Sequence, residues 1–175
     1  MLPTADLQAM IKADDYTAFH DAAENGHVAV LEYLEKKVLP KADLQDMIKA
    51  YDYRAFSDAA ENGHVAVLEY LEKKVLPTDN LQAMIKAHDY AAFRKAARDG
   101  HLDVLKYLAD IAPNHLQAMI KAVNYAAFHC AATNGHANVL NFLMHYGCAR
   151  NDSFQIMANT ELYYLLRNSP IADKL

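Results

Sequence analysis

The sequence predicts an all-α protein built from tandem copies of one helical unit. Three observations predict this fold class. Gly and Pro number only five each among 175 residues, which disfavours a protein of strands and turns. The sequence repeats itself about every 37 residues, as helical arrays do. Within each copy, apolar residues recur at helical spacing.

Two short motifs mark the repeat. Leu-Gln-x-Met-Ile-Lys-Ala begins at residues 7, 44, 81 and 116, and the Gly of an Asn-Gly-His or Asp-Gly-His triplet stands at 26, 63, 100 and 135. Residues 5–41 and 42–78 differ at five of 37 positions, which indicates a recent duplication. We predict one domain over residues 1–175, with copies at about 1–37, 38–74, 75–110 and 111–147 and a C-terminal half-repeat cap at 148–175.

The residue pattern of each copy predicts three short helices. In copy 1 the first is Leu7–Ala13, and the second runs from about Tyr16 to Glu24 and ends at Asn25-Gly26, since Gly accepts the left-handed conformation that caps a helix. His27 opens the third helix. N-cap residue types precede the first helix of each copy: Asp6, Asp43, Asn80 and Asn114. The residues expected to face inward are Phe19, Ala22, Ala23, Val28, Val30, Leu31 and Leu34.

The second and third helices resemble the ankyrin repeat. Residues 17–34 read Thr-Ala-Phe-His-x-Ala-Ala-x-Asn-Gly-His-x-x-Val-Leu-x-x-Leu, and the pattern recurs four times. The resemblance implies a helical repeat solenoid that binds partner proteins in a concave groove. It also implies a hydrogen bond between Thr17 and His20. Only copy 1 has both threonine and histidine at these two positions. Because this chain carries extra residues where ankyrin repeats have a β-turn finger, we predict an extra short helix there. The long period resembles ankyrin proteins and effectors of intracellular bacteria.

The candidate binding surface consists of positions that vary between otherwise similar copies. Copies in a stack have nearly equivalent surroundings, so packing does not dictate such positions. Most fall on one face of the second helix, and the resemblance places that face in the groove. We call this set the groove stripe. Its members are Asp14, Thr17, His20, Asp21, Glu24, Tyr51, Arg54, Ser57, Asp58, Glu61, His88, Arg94, Lys95, Arg98, His129 and Thr133.

The formal net charge of -5 is distributed unevenly. Residues 1–37 carry 3 basic and 7 acidic groups, 38–74 carry 5 and 7, 75–111 carry 5 and 5, and 112–175 carry 4 and 3. The charge therefore runs from -4 through -2 and 0 to +1 along the copies. Such a gradient predicts a protein partner of complementary polarity. The alternative is that the charged face is only solvated and binds no partner.

The sequence predicts no enzyme, no metal and no cofactor. It holds no phosphate-binding Gly-rich loop, no Gly-x-Ser-x-Gly and no His-Glu-x-x-His. Cys130 follows His129, but adjacent helical side chains diverge, so a nucleophile and base pair is not expected. The repeated histidines His27, His64, His101 and His136 are expected to pack at the start of the third helix.

Further expectations concern location and partners. We expect no nucleic acid as partner because the charge is mildly acidic, and no membrane insertion because no apolar run reaches about 18 residues. Two cysteines, too few for a disulfide framework, indicate a reducing, cytoplasmic compartment. The resemblance to effectors of intracellular bacteria also implies delivery of the protein into the cytosol of a host cell. The N-terminus begins in phase with a repeat, so no cap precedes the apolar face of copy 1. This predicts that the chain is a fragment of a longer protein, or that an otherwise monomeric chain self-associates weakly through this face. A targeting array for an enzyme domain elsewhere and an architectural spacer remain alternatives.

Overall fold

The structure, a computed structural model, describes residues 9, 16–38, 41–75 and 78–148. These residues form helices and no strand. Asp14, most of the first helix of copy 1 and the predicted C-terminal cap lie outside them. The chain divides into two compact units, residues 1–92 and 93–175. The elements are α1 (Thr17–Glu24), α2 (Val28–Val38), α3 (Lys41–Glu61), α4 (Val65–Lys74), α5 (Thr78–Asp99), α6 (Leu102–Ile111), a 3-10 turn (Pro113–His115), α7 (Leu116–Thr133) and α8 (Ala137–Cys148).

The helix that precedes each Gly-His pair ends at the glycine, as predicted, and at Gly26, Gly63 and Gly135 the end is a Schellman motif. The His27 N–H donates to the Ala22 carbonyl oxygen at 2.8 Å, and the Gly26 N–H donates to the Ala23 oxygen at 3.2 Å. Gly26 has φ 76°, which only Gly adopts without strain. Copy 4 makes the corresponding bonds from His136 and Gly135 at 2.9 and 3.2 Å.

In two of the copies the histidine of the Gly-His pair also explains why the preceding copy needs glycine. A Cβ on Gly26 would lie 2.7 Å from Nδ1 of His64, and a Cβ on Gly100 would lie 2.6 Å from Nδ1 of His136. The imidazole therefore occupies the space that the missing side chain leaves on the neighbouring copy. This confirms the predicted packing at the start of the third helix for His64 and His136, whereas His27 is exposed.

The predicted extra helix is present. Helices α3, α5 and α7 each join the first helix of a copy to its second one across a short break, which in α3 covers Ala50 to Tyr53. The N-cap prediction is wrong for copies 2, 3 and 4. In copy 4, Asn114 lies within the 3-10 turn and His115 is the N-cap of α7. Helix α3 begins at Lys41 and α5 at Thr78, so Asp43 and Asn80 lie inside the first turn. The preceding residues are compatible with helix, and the helix extends through them.

Each break is one turn of left-handed helix built without glycine. Tyr51, Asp52 and Tyr53 have φ of 51°, 54° and 62°, and the turns at 88–90 and 123–125 repeat this conformation. Left-handed backbone costs about 1–2 kcal/mol for each non-Gly residue. The middle residue is always Asp or Asn, the types that tolerate it best. Helices packed on both sides hold the strained turn in place.

The core of each copy lies under the second helix. Its Phe is buried in every copy, at Phe19, Phe56, Phe93 and Phe128, and so are the Ala-Ala pairs that follow. Within the first unit α1 packs against α2 and α3, and α3 packs against α4. Within the second, α7 packs against α8. These apolar contacts confirm the inward positions predicted for the second helix.

The outer face of α2 differs from the prediction. Val30 was expected to be inside but is 43% exposed, and Tyr33 is 54% exposed. The equivalent Val67 and Tyr70 of α4 are 0% and 6% exposed, although residues 28–38 and 65–75 are identical in sequence. The neighbour therefore decides burial, because α4 packs on α2 and no described helix covers the corresponding face of α2.

Tyr70 shows how copies 1 and 2 are held together. Its hydroxyl lies 3.2 Å from both the Leu31 carbonyl oxygen and Oε2 of Glu35. Lys74 Nζ pairs with Oε1 of Glu35 at 2.6 Å and lies 5.6 Å from the Tyr70 ring centre. Burial, followed by the charge of Glu35, raises the pKa of Tyr70 well above its usual value. The phenol therefore remains a hydrogen-bond donor at physiological pH.

Candidate partner-binding surface

The groove stripe of copies 1 and 2 lies on α1 and α3 in the first unit. Thr17, Asp21 and Glu24 are exposed on α1, and Tyr51 and Arg54 are exposed on α3. Glu61 is half-buried. These side chains therefore offer one acidic and one mixed patch to solvent.

Three stripe residues are not at the surface. His20, Ser57 and Asp58 are buried, so the expectation that the whole stripe is exposed is wrong for them. The physical reason is that α1 packs directly on α3.

Asp58 holds Arg54 in place. The Arg54 Nε donates to Oδ2 of Asp58 at 2.9 Å, one helical turn away, and the Ser57 hydroxyl donates to the Arg54 carbonyl oxygen at 3.0 Å. This hydrogen bond to Asp58 is the main reason that the pKa of Arg54 is raised. A buried carboxylate thus orients an exposed guanidinium on the stripe.

Among the residues that the structure describes, His20 departs from the rule that buried polar groups are hydrogen-bonded. It is 7% exposed, and neither ring nitrogen has a hydrogen-bond partner. Its ring packs edge-on against Tyr51, with centroids 5.6 Å apart. The Thr17–His20 hydrogen bond that the resemblance implied is therefore not made.

The left-handed turns of copies 2 and 3 lie side by side within the first unit. His88 Nε2 is 3.4 Å from the Tyr51 carbonyl oxygen and 3.6 Å from Oδ2 of Asp52. Both stripe members, Tyr51 and His88, are exposed at these turns. Sequence analysis placed both residues on the stripe but did not predict the left-handed turn on which they lie. The Asp or Asn that recurs at the middle position of the turn was the only sequence signal for it.

The stripe of the second unit contains the basic residues Arg94, Lys95 and Arg98, all half-buried. Arg98 Nη2 pairs with Oδ2 of Asp99 at 2.8 Å, and its carbonyl oxygen accepts from Nδ2 of Asn134 at 3.0 Å. Contacts within the protein therefore order the basic patch.

The copy 4 stripe members His129 and Thr133 lie on α7. Thr133 is exposed, and its hydroxyl donates to the His129 carbonyl oxygen at 2.8 Å. His129 is half-buried, unlike His20 at the same place in copy 1. Equivalent histidines thus occupy different surroundings.

Sequence reasoning missed two grooves between third helices. One of about 420 Å³ lies between α2 and α4, and one of about 410 Å³ lies between α6 and α8. The Glu35–Lys74 ion pair lines the first. Phe142 and Tyr146, with ring centroids 4.8 Å apart, line the second.

The described part of the chain contains no group of three or more His, Cys, Asp or Glu side chains placed to hold a metal ion. Cys130 is a free, half-buried thiol. None of the described helices combines the length and apolar character needed to cross a membrane.

Comparison with known proteins identifies a similar solved structure. No family model and no curated protein matches the chain. The X-ray structure of an ankyrin repeat family protein from Legionella pneumophila is 39% identical, covers 80% of this chain and superposes with a TM-score of 0.67. The chain belongs to the ankyrin-repeat family. It is an all-α repeat array, as predicted, and it spans 40% of the Legionella chain.

Ankyrin repeats in general are interaction modules without catalytic activity, and this family assignment supports a protein-interaction scaffold. In the described copies 2 to 4, a strained left-handed turn and a short helix stand where the ankyrin family usually has its β-turn finger.

Proposed function

We propose that this ankyrin array binds a partner protein through the exposed members of the groove stripe. One observation carries the proposal. The near-identical copies 1 and 2 keep their apolar packing residues, and they differ at an exposed position of the second helix, where Thr17 of copy 1 corresponds to Arg54 of copy 2. Variation of exposed residues on a constant scaffold is what specific recognition by repeat proteins requires.

The likeness to a Legionella pneumophila protein supports extending this proposal to a bacterial effector. In that role the partner is a host protein, and the array works in the host cytosol. Specific interfaces bury about 800 Å² on each partner, which several repeats of stripe can supply. A second role, as the targeting array of a larger protein, is supported by the chain spanning 40% of its relative.

Charge reversal on the basic patch tests the proposal. The triple variant Arg94→Glu, Lys95→Glu and Arg98→Glu is expected to lower recovery of the partner at least tenfold in pull-downs from host-cell lysate quantified by mass spectrometry. Interfacial charges set specificity, and like charges across an interface are repulsive. The melting temperature should change little, because half-exposed ion pairs contribute at most about 1 kcal/mol.

The matched control reverses three exposed lysines outside the stripe, with Lys86→Glu, Lys106→Glu and Lys121→Glu. It changes the net charge by the same amount and should recover the partner like the wild type. Equal recovery by both triple variants would contradict binding through the stripe.

A further inference from the structure

The two grooves between third helices are lined from equivalent positions of the repeat but differ in chemistry. All charged side chains that line the groove between α2 and α4 are joined in ion pairs. The pairs are Glu32 with Lys36 at 3.0 Å, Glu69 with Lys73 at 3.7 Å and Glu35 with Lys74 at 2.6 Å. The charges of this groove are therefore satisfied from within the protein.

The groove between α6 and α8 has an aromatic lining instead. Three of its residues replace polar ones of the first groove: Ala109 for Glu35, Phe142 for Tyr70 and Tyr146 for Lys74. The rings of Phe142 and Tyr146 have centroids 4.8 Å apart, and Tyr146 is 41% exposed. The volume of about 410 Å³ lies within the range of about 300–1,000 Å³ that is usual for ligand pockets.

Two charged residues of α6, Lys106 and Asp110, also line this second groove. Both are exposed, and neither forms an ion pair with any residue that the structure describes. Because they are four residues apart, they lie one helical turn apart on the same side of α6. The groove between α6 and α8 thus presents a positive and a negative charge beside its aromatic lining.

The exposed face of α2 has the complementary features. Its apolar residues Val30 and Tyr33 are 43% and 54% exposed. Glu32 and Lys36 are exposed on the same helix, again one turn apart. They pair with each other at 3.0 Å, but an ion pair in water contributes little to stability, so its members exchange partners easily. Helix α2 therefore combines an apolar anchor with an acid and a base at the spacing found in the groove.

We propose that α2 of one molecule docks in the groove between α6 and α8 of a second molecule of this protein. Tyr33 packs against the aromatic lining. Glu32 lies opposite Lys106 of the second molecule, and one turn further Lys36 lies opposite Asp110. Burial of apolar surface supplies the affinity, and the opposite charges fix the register of the helix in the groove.

The uneven charge of the chain favours this pairing over a symmetrical one. Residues 1–37 carry 3 basic and 7 acidic groups, whereas residues 75–111 carry 5 of each and residues 112–175 carry 4 and 3. Contact between two α2 faces would bring two strongly acidic copies together, and like charges across an interface are repulsive. Contact between α2 and the groove brings an acidic copy to copies that are neutral or slightly basic.

The contact joins two different surfaces, which determines the kind of assembly. Each molecule has one α2 face and one groove, so a pair of molecules still has one of each unoccupied. Such head-to-tail contacts form rings or open chains rather than stopping at a dimer. One helix in a groove buries less than the roughly 800 Å² per partner of a stable interface. The association is therefore weak and appears at high protein concentration.

Sedimentation equilibrium of the whole chain, from micromolar to millimolar concentration, tests the proposal. The average mass is expected to rise with concentration and to pass twice the monomer mass of 19.6 kDa. A mass that stays at the monomer value throughout, or that stops at two molecules, would overturn the inference.

Exchange of charges tests the register. Lys106→Glu with Asp110→Lys reverses the charges of the groove, and Glu32→Lys with Lys36→Glu reverses those of α2. Each double variant alone should need at least about tenfold higher concentration to associate, because two attractions become repulsions. Mixing the two variants, or combining all four substitutions in one chain, should restore association. If neither restores it, α2 does not bind in this groove.

Matched controls exist for both parts of the contact. Glu69→Lys with Lys73→Glu reverses the equivalent exposed pair of α4 and should associate like the wild type. Tyr33→Ser should abolish association, whereas Tyr51→Ser, at a similarly exposed tyrosine, should leave it unchanged. Wild-type association of the Tyr33→Ser variant would show that the α2 face is not involved.

This inference does not depend on the proposed function. The residues that line the groove between α6 and α8 include no member of the groove stripe. Pull-downs use dilute protein, at which weak self-association is negligible, so Lys106→Glu should alter self-association without altering recovery of the partner. Failure of one experiment therefore leaves the other unaffected.

Discussion

Replacing Phe93 with alanine is expected to lower the free energy of unfolding by about 3–5 kcal/mol. Phe93 is 1% exposed, and the equivalent Phe of each other copy is as deeply buried. The substitution removes a large apolar side chain from a packed site and leaves a cavity that helices on a fixed repeat spacing close only in part. Urea denaturation followed by circular dichroism at 222 nm measures the change.

Tyr33→Ala is the matched aromatic control. Tyr33 is mostly exposed, and surface substitutions usually change stability by no more than about 0.5 kcal/mol. A loss below 1 kcal/mol for Phe93→Ala, or a similar loss for both variants, would contradict the placement of the core under the second helix.

Substituting Gly26 with alanine is expected to cost about 2–5 kcal/mol. Its φ of 76° is unfavourable for any residue with a Cβ, which contributes about 1–2 kcal/mol. The new Cβ would also meet the His64 ring at 2.7 Å, and forcing an extra methyl group into a packed site costs about 1–3 kcal/mol. The same denaturation measurement applies.

A double-mutant cycle with His64→Ala separates the two causes. Once the ring is removed, Gly26→Ala should cost only the backbone strain, so the loss in the double variant should be smaller than the sum of the single losses. Strictly additive losses would show that the ring and the glycine do not pack against each other.

The repeat made much of the fold predictable. The Asn-Gly-His triplet predicted the turn between the second and third helices, and the structure makes that turn with a Schellman motif at Gly26. The apolar spacing predicted the buried Phe and Ala-Ala positions of the second helix. Both signals are local, because each lies within a single copy, and both recur in every copy.

The left-handed turns could not be predicted in this way. Aspartate at the middle position, as in Asp52, is compatible with an N-cap, a turn or a helix, and tertiary packing selects the strained conformation. The exposure of Val30 was missed for a related reason. Its sequence surroundings equal those of Val67, and only the presence of a neighbouring copy buries one and not the other.

Variation between copies identified the stripe but could not distinguish its exposed members from its buried ones. His20 and Arg54 both vary, yet one is buried and the other exposed. The contact between α1 and α3 buries His20 and leaves Arg54 exposed. This contact is long-range and cannot be predicted from the sequence of either helix. The acidic and basic patches, in contrast, could be predicted from charge alone.

Photocrosslinking tests the central claim, binding through the stripe, most directly. A benzoylphenylalanine is introduced one site at a time at Thr17 and Thr133, which are exposed on the stripe, and at Glu69 and Lys121, which are exposed outside it. Irradiation with the partner is expected to give a covalent adduct from Thr17 and Thr133 and little from the other two. Adducts from Glu69 or Lys121 with none from the stripe positions would contradict the claim.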